Sequence, residues 1–333
     1  MTQTHLSKPA STSRARTRRG ASATFWCLAV AANGSLVAAA SPGLPVVQLA
    51  QQAAPAAAEP QSTGSSSRLE PRLEADGAKG FTFDTGVMRG RLRADGKSLG
   101  LTEVYHVGTG RRLDAGHGLL GHYRVFTKGV RYGGGAWDWP STATLVDPRT
   151  VEVLWPAEEQ RPFTLRAVYR LAKPSTIEVE TTVEPRRELT AFEVFLASYF
   201  DPAFTNAVVL ARVGDQPDFV DATPERGDWQ MYARDEAARA MILDGRWRLE
   251  PHPVAWTFPY EFAGPLAMVQ RRAEGAGISA VLSAPATDCF AIALPHQTEG
   301  HYSLYLSLFG RTIPAGETVR TRAQLVVGKL PAR

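Results

Sequence analysis

Two short stretches of the chain gather side chains that can move protons and hold a polar ligand. The first is Gly116-His117-Gly118-Leu119-Leu120-Gly121-His122-Tyr123-Arg124 and the second Arg131-Tyr132-Gly133-Gly134-Gly135-Ala136-Trp137-Asp138-Trp139-Pro140. Their glycines let the backbone take positive φ and approach a ligand closely. His117 or His122 can act as general acid, with Asp201 or Asp138 as the base and Tyr199 as an alternative. Trp137 and Trp139 flank Asp138, and rings that stack on a sugar beside an acceptor for its hydroxyls make a platform. The alternative for these two rings is that they plug the edge of a sandwich. Arg124, Tyr199 and Trp256 complete the substrate-binding candidates.

A metal is not expected. His117 and His122 lack same-face helical spacing, and no Cys or third His lies nearby. Asp215, Asp218 and Asp221 offer oxygens to a hard cation, but their loop lacks the spacing of a known calcium loop, and solvated carboxylates are the commoner explanation. No phosphate loop, dinucleotide fingerprint, nucleophile elbow or zinc-protease helix occurs, so no cofactor is expected and nucleotide chemistry and serine hydrolysis are unsupported.

The elements that must position these residues are strands. In 163–171, Phe163, Leu165, Ala167, Tyr169 and Leu171 share a face, with Arg166 and Arg170 opposite. In 176–184, Ile177, Val179 and Val183 oppose Glu178, Glu180 and Glu184. Period two marks half-buried strands. The links Lys173-Pro174-Ser175 and Pro185-Arg186-Arg187 have turn chemistry, which implies an antiparallel meander with a dry and a wet face. The third run, 189–201, has two substantial faces: Phe192, Val194, Leu196 and Phe200 on one, and Glu193, Phe195, Ala197, Tyr199 and Asp201 on the other. Carboxylates and rings on one side suit a sugar in an open groove. Earlier, Phe81–Phe83 and Val87–Leu92 read as strands, and Asp95-Gly96 as a hairpin turn. Later, Phe290–Leu294 and Tyr302–Phe309 read as core strands, with His296 and His301 in the loop between them. Asp235–Leu243 is the one expected helix. Prolines at 251, 253 and 259 make 247–261 a loop, placed to close over a groove and carrying His252, Trp256, Tyr260 and Glu261. Cys289 reads as a small buried hydrophobe.

The succession Tyr169-x-Leu171, Ile177-Glu178-Val179, Leu189-Thr190 and Ser198-Tyr199-Phe200-Asp201 resembles the middle of aldose 1-epimerases (galactose mutarotases). The ending Ile313-Pro314-Ala315-Gly316-Glu317-Thr318 before a last alternating strand is similar too. The resemblance covers about a third of the chain. It implies an all-β fold, a large antiparallel β-supersandwich with one short helix, that binds carbohydrate in a groove. His117-Gly118 matches best the His-Gly that such proteins carry in this part of the chain, with His122 second. The family's acid His, however, falls on Ala197, so mutarotation by the usual acid/base pair is not implied. The resemblance therefore covers a binding protein as well as an epimerase-like or lyase-like enzyme. The competing class is a structural envelope sandwich without a sugar site.

Residues 1–40 hold Lys8, Arg14, Arg16, Arg18 and Arg19, no acidic residue, and an apolar stretch ending in Ala38-Ala39-Ala40. Basic region, apolar region and small-residue site read as an export signal, which places the mature chain in the periplasm or outside the cell. The apolar stretch is too short for a comfortable membrane span, so no stable span is expected after its removal. Residues 41–78, rich in Ala, Gln, Pro and Ser, read as a disordered linker before one β-sandwich domain over 79–330. The whole chain of 333 residues has 37 Lys and Arg against 33 Asp and Glu, net +4. Without residues 1–40, 32 basic groups face 33 acidic ones, net −1. The mature chain thus has no global positive field, which argues against nucleic acid as a partner and leaves a carbohydrate ligand.

Overall fold

The computed structural model describes residues 70–77, 80–94, 100–270, 277–296 and 302–329. The expected export signal, most of the linker, the Asp95-Gly96 turn and His301 lie outside them. Strands β1 (Arg72–Ala75), β2 (Gly80–Asp84), β3 (Met88–Arg93), β4 (Leu101–His106) and β5 (Arg111–Arg112) form one five-stranded antiparallel sheet. The chain continues through β6 (Gly121–Thr127), β7 (Val130–Arg131), β8 (Thr142–Asp147), β9 (Thr150–Trp155), β10 (Phe163–Lys173), β11 (Thr176–Pro185) and β12 (Leu189–Phe200). Next come β13 (Asn206–Val213), β14 (Gln216–Asp221), β15 (Trp229–Ala233) and the helix α1 (Glu236–Ile242). The last strands are β16 (Phe262–Gln270), β17 (Ser279–Ser283), β18 (Cys289–Pro295), β19 (Tyr302–Ile313) and β20 (Val319–Gly328). A nine-stranded sheet runs β14-β13-β16-β17-β20-β11-β10-β9-β8, and a six-stranded sheet runs β15-β18-β19-β12-β6-β7. The chain is an all-β antiparallel sandwich with one short α-helix among the described residues.

Alternation sorts the side chains. On β10 and β11, Phe163, Leu165, Tyr169, Ile177, Val179 and Val183 are buried in the core between the sheets. The opposite face of β11 stays wet, where Glu180 accepts from Arg322 Nε at 2.7 Å and Glu178 from Gln324 at 2.8 Å, each directly across the pairing with β20. Such cross-strand polar pairs fix register on an exposed face. Phe192, Val194, Leu196 and Phe200 of β12 enter the same core from the other sheet, and Phe163 meets Phe192 at 5.3 Å between ring centroids.

The expected three-strand meander is not what forms. β10 and β11 pair as a hairpin, but β12 pairs with β19 and β6 in the six-stranded sheet. The link after Pro185 therefore crosses between sheets. The physical reason lies in β12 itself, whose two apolar faces both need cover and suit a central strand with layers on either side.

The second face of β12 is not an open trough along its length, which corrects that expectation. Phe195, Ala197 and Tyr199 join Phe126, Met231, Trp247, Phe290 and Tyr305 in a second apolar cluster outside the six-stranded sheet. Ala238 and Ile242 of α1 and Val254 of the following loop close over it. Asp235 caps α1 by accepting from Ala238 N at 2.8 Å. Glu193, expected to face a ligand, is sealed at 0% exposure under Arg246, which donates to it at 3.1 Å.

Candidate functional site

Over the Tyr199 part of β12 the outer layer leaves a cavity of about 370 Å³. That size falls low in the range of roughly 300–1,000 Å³ typical of small-molecule sites. His117, Tyr123, Arg124, Phe195, Tyr199, Trp229, Trp247, His252, Val254, Trp256 and Tyr305 line it together with Pro253. A larger hollow of about 650 Å³ lies on the five-stranded sheet, but it is shallower and lined by charges such as Arg72 with Glu74 and Arg91 with Glu103, which pair with each other. The smaller cavity is the better candidate because rings and polar tips converge there.

A short loop presents His117. Tyr199 N donates to Gly118 O at 2.8 Å and Ala115 N to Tyr199 O at 2.9 Å, so the loop is hydrogen-bonded to the strand that carries Tyr199. Gly118 has φ +82°, and a Cβ there would lie 2.3 Å from Leu101 O, so only glycine fits. The His117 ring then stacks on Trp137 at 4.8 Å and meets Tyr199 edge-on at 5.2 Å. Trp137 lies in turn on Tyr123 at 4.0 Å and 14°.

A β-bulge places the neighbours. Val194 pairs with Val125 and Leu196 with His122, so Tyr123 and Arg124 together oppose Phe195 alone. A bulge of this kind re-aims side chains. Val125 and His122 consequently face the core, while Tyr123 and Arg124 both reach the cavity. The Arg124 guanidinium carbon sits 5.0 Å from the Tyr123 ring centroid and 4.9 Å from that of Trp247.

The far wall is the loop after α1. Met231 N donates to Thr257 O and Thr257 N to Trp229 O, both at 2.8 Å, tying the loop to β15. Arg131 ties the near side, donating to Leu249 O, Pro251 O, Gly133 O and Gly134 O. Burial lowers its pKa to about 10, and the charge of Arg124 adds to that. Trp247 and Trp256 cross at 5.1 Å and 88°, and Trp256 meets Trp229 at 5.8 Å. His252 stands at the rim with φ +61°, an uncommon conformation for a non-glycine residue. Tyr199 and Tyr305 are hydrogen-bonded to each other, and burial raises both phenols, that of Tyr305 to about 12.

The sequence candidates thus separate. His117, Arg124, Tyr199 and Trp256 line the cavity, and Trp137 backs it through His117 and Tyr123. Asp138 is exposed and accepts from Trp137 Nε1 at 3.1 Å. Trp139 belongs to the other cluster, packed on the core with Arg161 over its ring at 4.1 Å. The two tryptophans sit at a 3₁₀ turn, Ala136–Asp138, and this turn divides them between layers. Asp201 closes a turn beyond β12, accepting from Ala203 N at 2.9 Å, and does not line the cavity.

His122 is inside the sandwich. Its Nε2 lies 2.9 Å from Thr181 Oγ1 of the opposite sheet and its Nδ1 3.4 Å from the Tyr169 hydroxyl. Burial lowers its pKa to about 3, so it stays neutral and has no route to a cavity ligand. Tyr123, Trp229, Trp247 and Tyr305 were not singled out as binding residues. Their signal is spatial: a bulge, an edge strand and a loop bring them together from distant parts of the chain.

No family model matches the chain, and neither does any curated protein. Among solved structures, it is similar to the aldose epimerase homologue of C. elegans, with 10% identity, a TM-score of 0.40, and coverage of 79% of this chain and 99% of that one. It is also similar to galactose 1-epimerase from Lactobacillus acidophilus, with 12% identity, a TM-score of 0.38, and coverage of 77% and 97%. These scores are too low for the site to be read from those proteins, and its chemistry rests on its own geometry.

Proposed function

We propose that this chain is an exported carbohydrate-binding protein that holds its sugar in the aromatic cavity outside the six-stranded sheet. The observation that carries the reading is the lining. Trp229, Trp247, Trp256, Tyr199 and Tyr305 offer flat apolar surface, while the buried indole Nε1–H groups of Trp247 and Trp256 have no partner among the described residues. Buried donors without acceptors are costly, and sugar hydroxyls both supply acceptors and present C–H faces to rings. A purely structural outer layer has no use for a hollow lined in this way.

Binding without turnover is the favoured form. Proton relay at a sugar needs an acid and a base. His117 beside Tyr199 supplies an acid, but no carboxylate is among the described residues that line the cavity. Residues 1–40 support export by their composition alone.

Tryptophan emission titrated with a saccharide panel tests binding, with a saturable change expected for at least one member. A panel that changes nothing removes the reading. Sugar NMR is expected to show anomeric equilibration at the buffer rate, and a faster rate replaces binding with epimerase chemistry. N-terminal sequencing of the chain expressed in a bacterium is expected to find it cut close after Ala40. An intact N-terminus removes the export signal.

A further inference from the structure

Arg124 is 5% exposed, and its Nε and Nη1 have no hydrogen-bond partner among the described residues. Its one hydrogen bond among the described residues is from Nη2 to the Tyr123 hydroxyl, at 3.4 Å. No carboxylate pairs with it among the described residues, and none of those lining its cavity is Asp or Glu. A buried charge is tolerated when it is paired and hydrogen-bonded.

The same layer shows how this chain treats an arginine that only holds structure. Arg246 donates to Glu193 at 3.1 Å and to Asp244 at 3.0 and 2.8 Å, and Ser307 donates to the other Glu193 oxygen at 2.8 Å. Arg131, next to Arg124, spends its donors on backbone carbonyls. Arg124 alone of these three is left with donor nitrogens that have no acceptor among the described residues, and it is the one that lines the cavity. Trp247 and Trp256, whose buried indole N–H groups have no partner among the described residues, belong to the same lining.

A neutral sugar brings hydroxyl donors as well as acceptors, and no charge to match a guanidinium. This lining offers a cation, hydroxyls, imidazoles and indole rings, and no anionic acceptor among the described residues. We infer that the cavity is selective for an acidic saccharide whose carboxylate or sulfate group neutralises Arg124 while its ring stacks on the tryptophans. The inference rests on the saccharide reading above and adds the substrate class. Attraction here is local to one guanidinium, consistent with a mature chain of net charge near zero. The aromatic walls argue against a bare inorganic anion, which would leave them uncovered.

The test is a tryptophan-emission titration of the full chain with uronic-acid trisaccharides of galacturonate and glucuronate, the same trisaccharides as methyl esters, and a sulfated galactose trisaccharide. Inorganic sulfate and acetate are titrated separately. The charged uronate or the sulfated sugar is expected to bind at least tenfold more tightly than the uncharged ester, with the gap narrowing as salt rises. Whichever charged sugar binds more tightly identifies the anionic group. Arg124→Gln, checked for folding by circular dichroism, is expected to bring the charged sugar to the affinity of its ester. The comparison of ester with acid on the unaltered protein stands even if that variant fails to fold. Equal binding of acid and ester overturns the inference and leaves the saccharide reading intact. Binding of no trisaccharide overturns both. Sulfate or acetate alone binding as tightly as the trisaccharides also overturns it, as a small-anion site.

Discussion

The outer layer of the six-stranded sheet has a shut part and an open part, and each contains a buried arginine. At the shut part Arg246, at 0% exposure, is held by two carboxylates, and Ser307 donates to the other oxygen of Glu193 at 2.8 Å. At the open part Arg124 has two partnerless nitrogens above a hollow of about 370 Å³. The two parts share strands, cluster and burial. What differs is whether the protein supplies the counter-charge itself. A satisfied ion pair is architecture; under the function proposed above, a guanidinium without a carboxylate beside a hollow is where the ligand sits.

The largest effect expected is at the shut part. Glu193→Ala removes one of the two carboxylates that hold Arg246 and should cost about 3 kcal/mol in denaturant unfolding, the low end for a broken buried pair because Asp244 still holds the guanidinium. A loss below ~1 kcal/mol would make the two arginines equivalent and dissolve the contrast.

Next in size is the acid response of the core beneath both parts. The folded pKa of His122 is about 3 against an ordinary 6.5, so the unfolded chain binds the extra proton between these values. Stability from this group is complete above about pH 6.5 and falls as pH drops, by about 1.4 kcal/mol per unit where the difference is fully expressed. His122→Gln should flatten that slope in urea midpoints measured from pH 7 to 4. An unchanged slope would mean that His122 is not sealed in the sandwich.

The smallest stability effect belongs to the open part. His117→Ala should move unfolding by less than about 1 kcal/mol, as for a partly exposed residue. It should still weaken saccharide binding several-fold through loss of the ring packed on Trp137 and Tyr199. If the chain turns sugar over, the same change should lower turnover at least ~100-fold. A large stability loss with unchanged binding would move His117 from the site into the scaffold.

Strand content and core were legible because alternation is a local signal, as the buried set of β10 and β11 demonstrates. The two faces of β12 were sorted correctly into two clusters, apart from the closure over Glu193. That closure depends on Arg246, 53 residues away, which no local pattern reveals. His117 and His122 look alike in the sequence, yet one lines the cavity and the other faces the opposite sheet. The bulge at Tyr123 and Arg124 breaks the period-two rule, so simple alternation would have put Arg124 on the side of His122. Trp137 and Trp139 part because a turn, not a strand, carries them.

The most direct test observes the indole N–H signals by NMR while the saccharide that binds is added. Those of Trp247 and Trp256, whose rings line the cavity, should shift and saturate together, while that of Trp155, likewise without a partner among the described residues but fully buried between the sheets, stays in place. Shifts that leave Trp247 and Trp256 unmoved, or that move Trp155 as much, would contradict a sugar site on the outer side of the sheet.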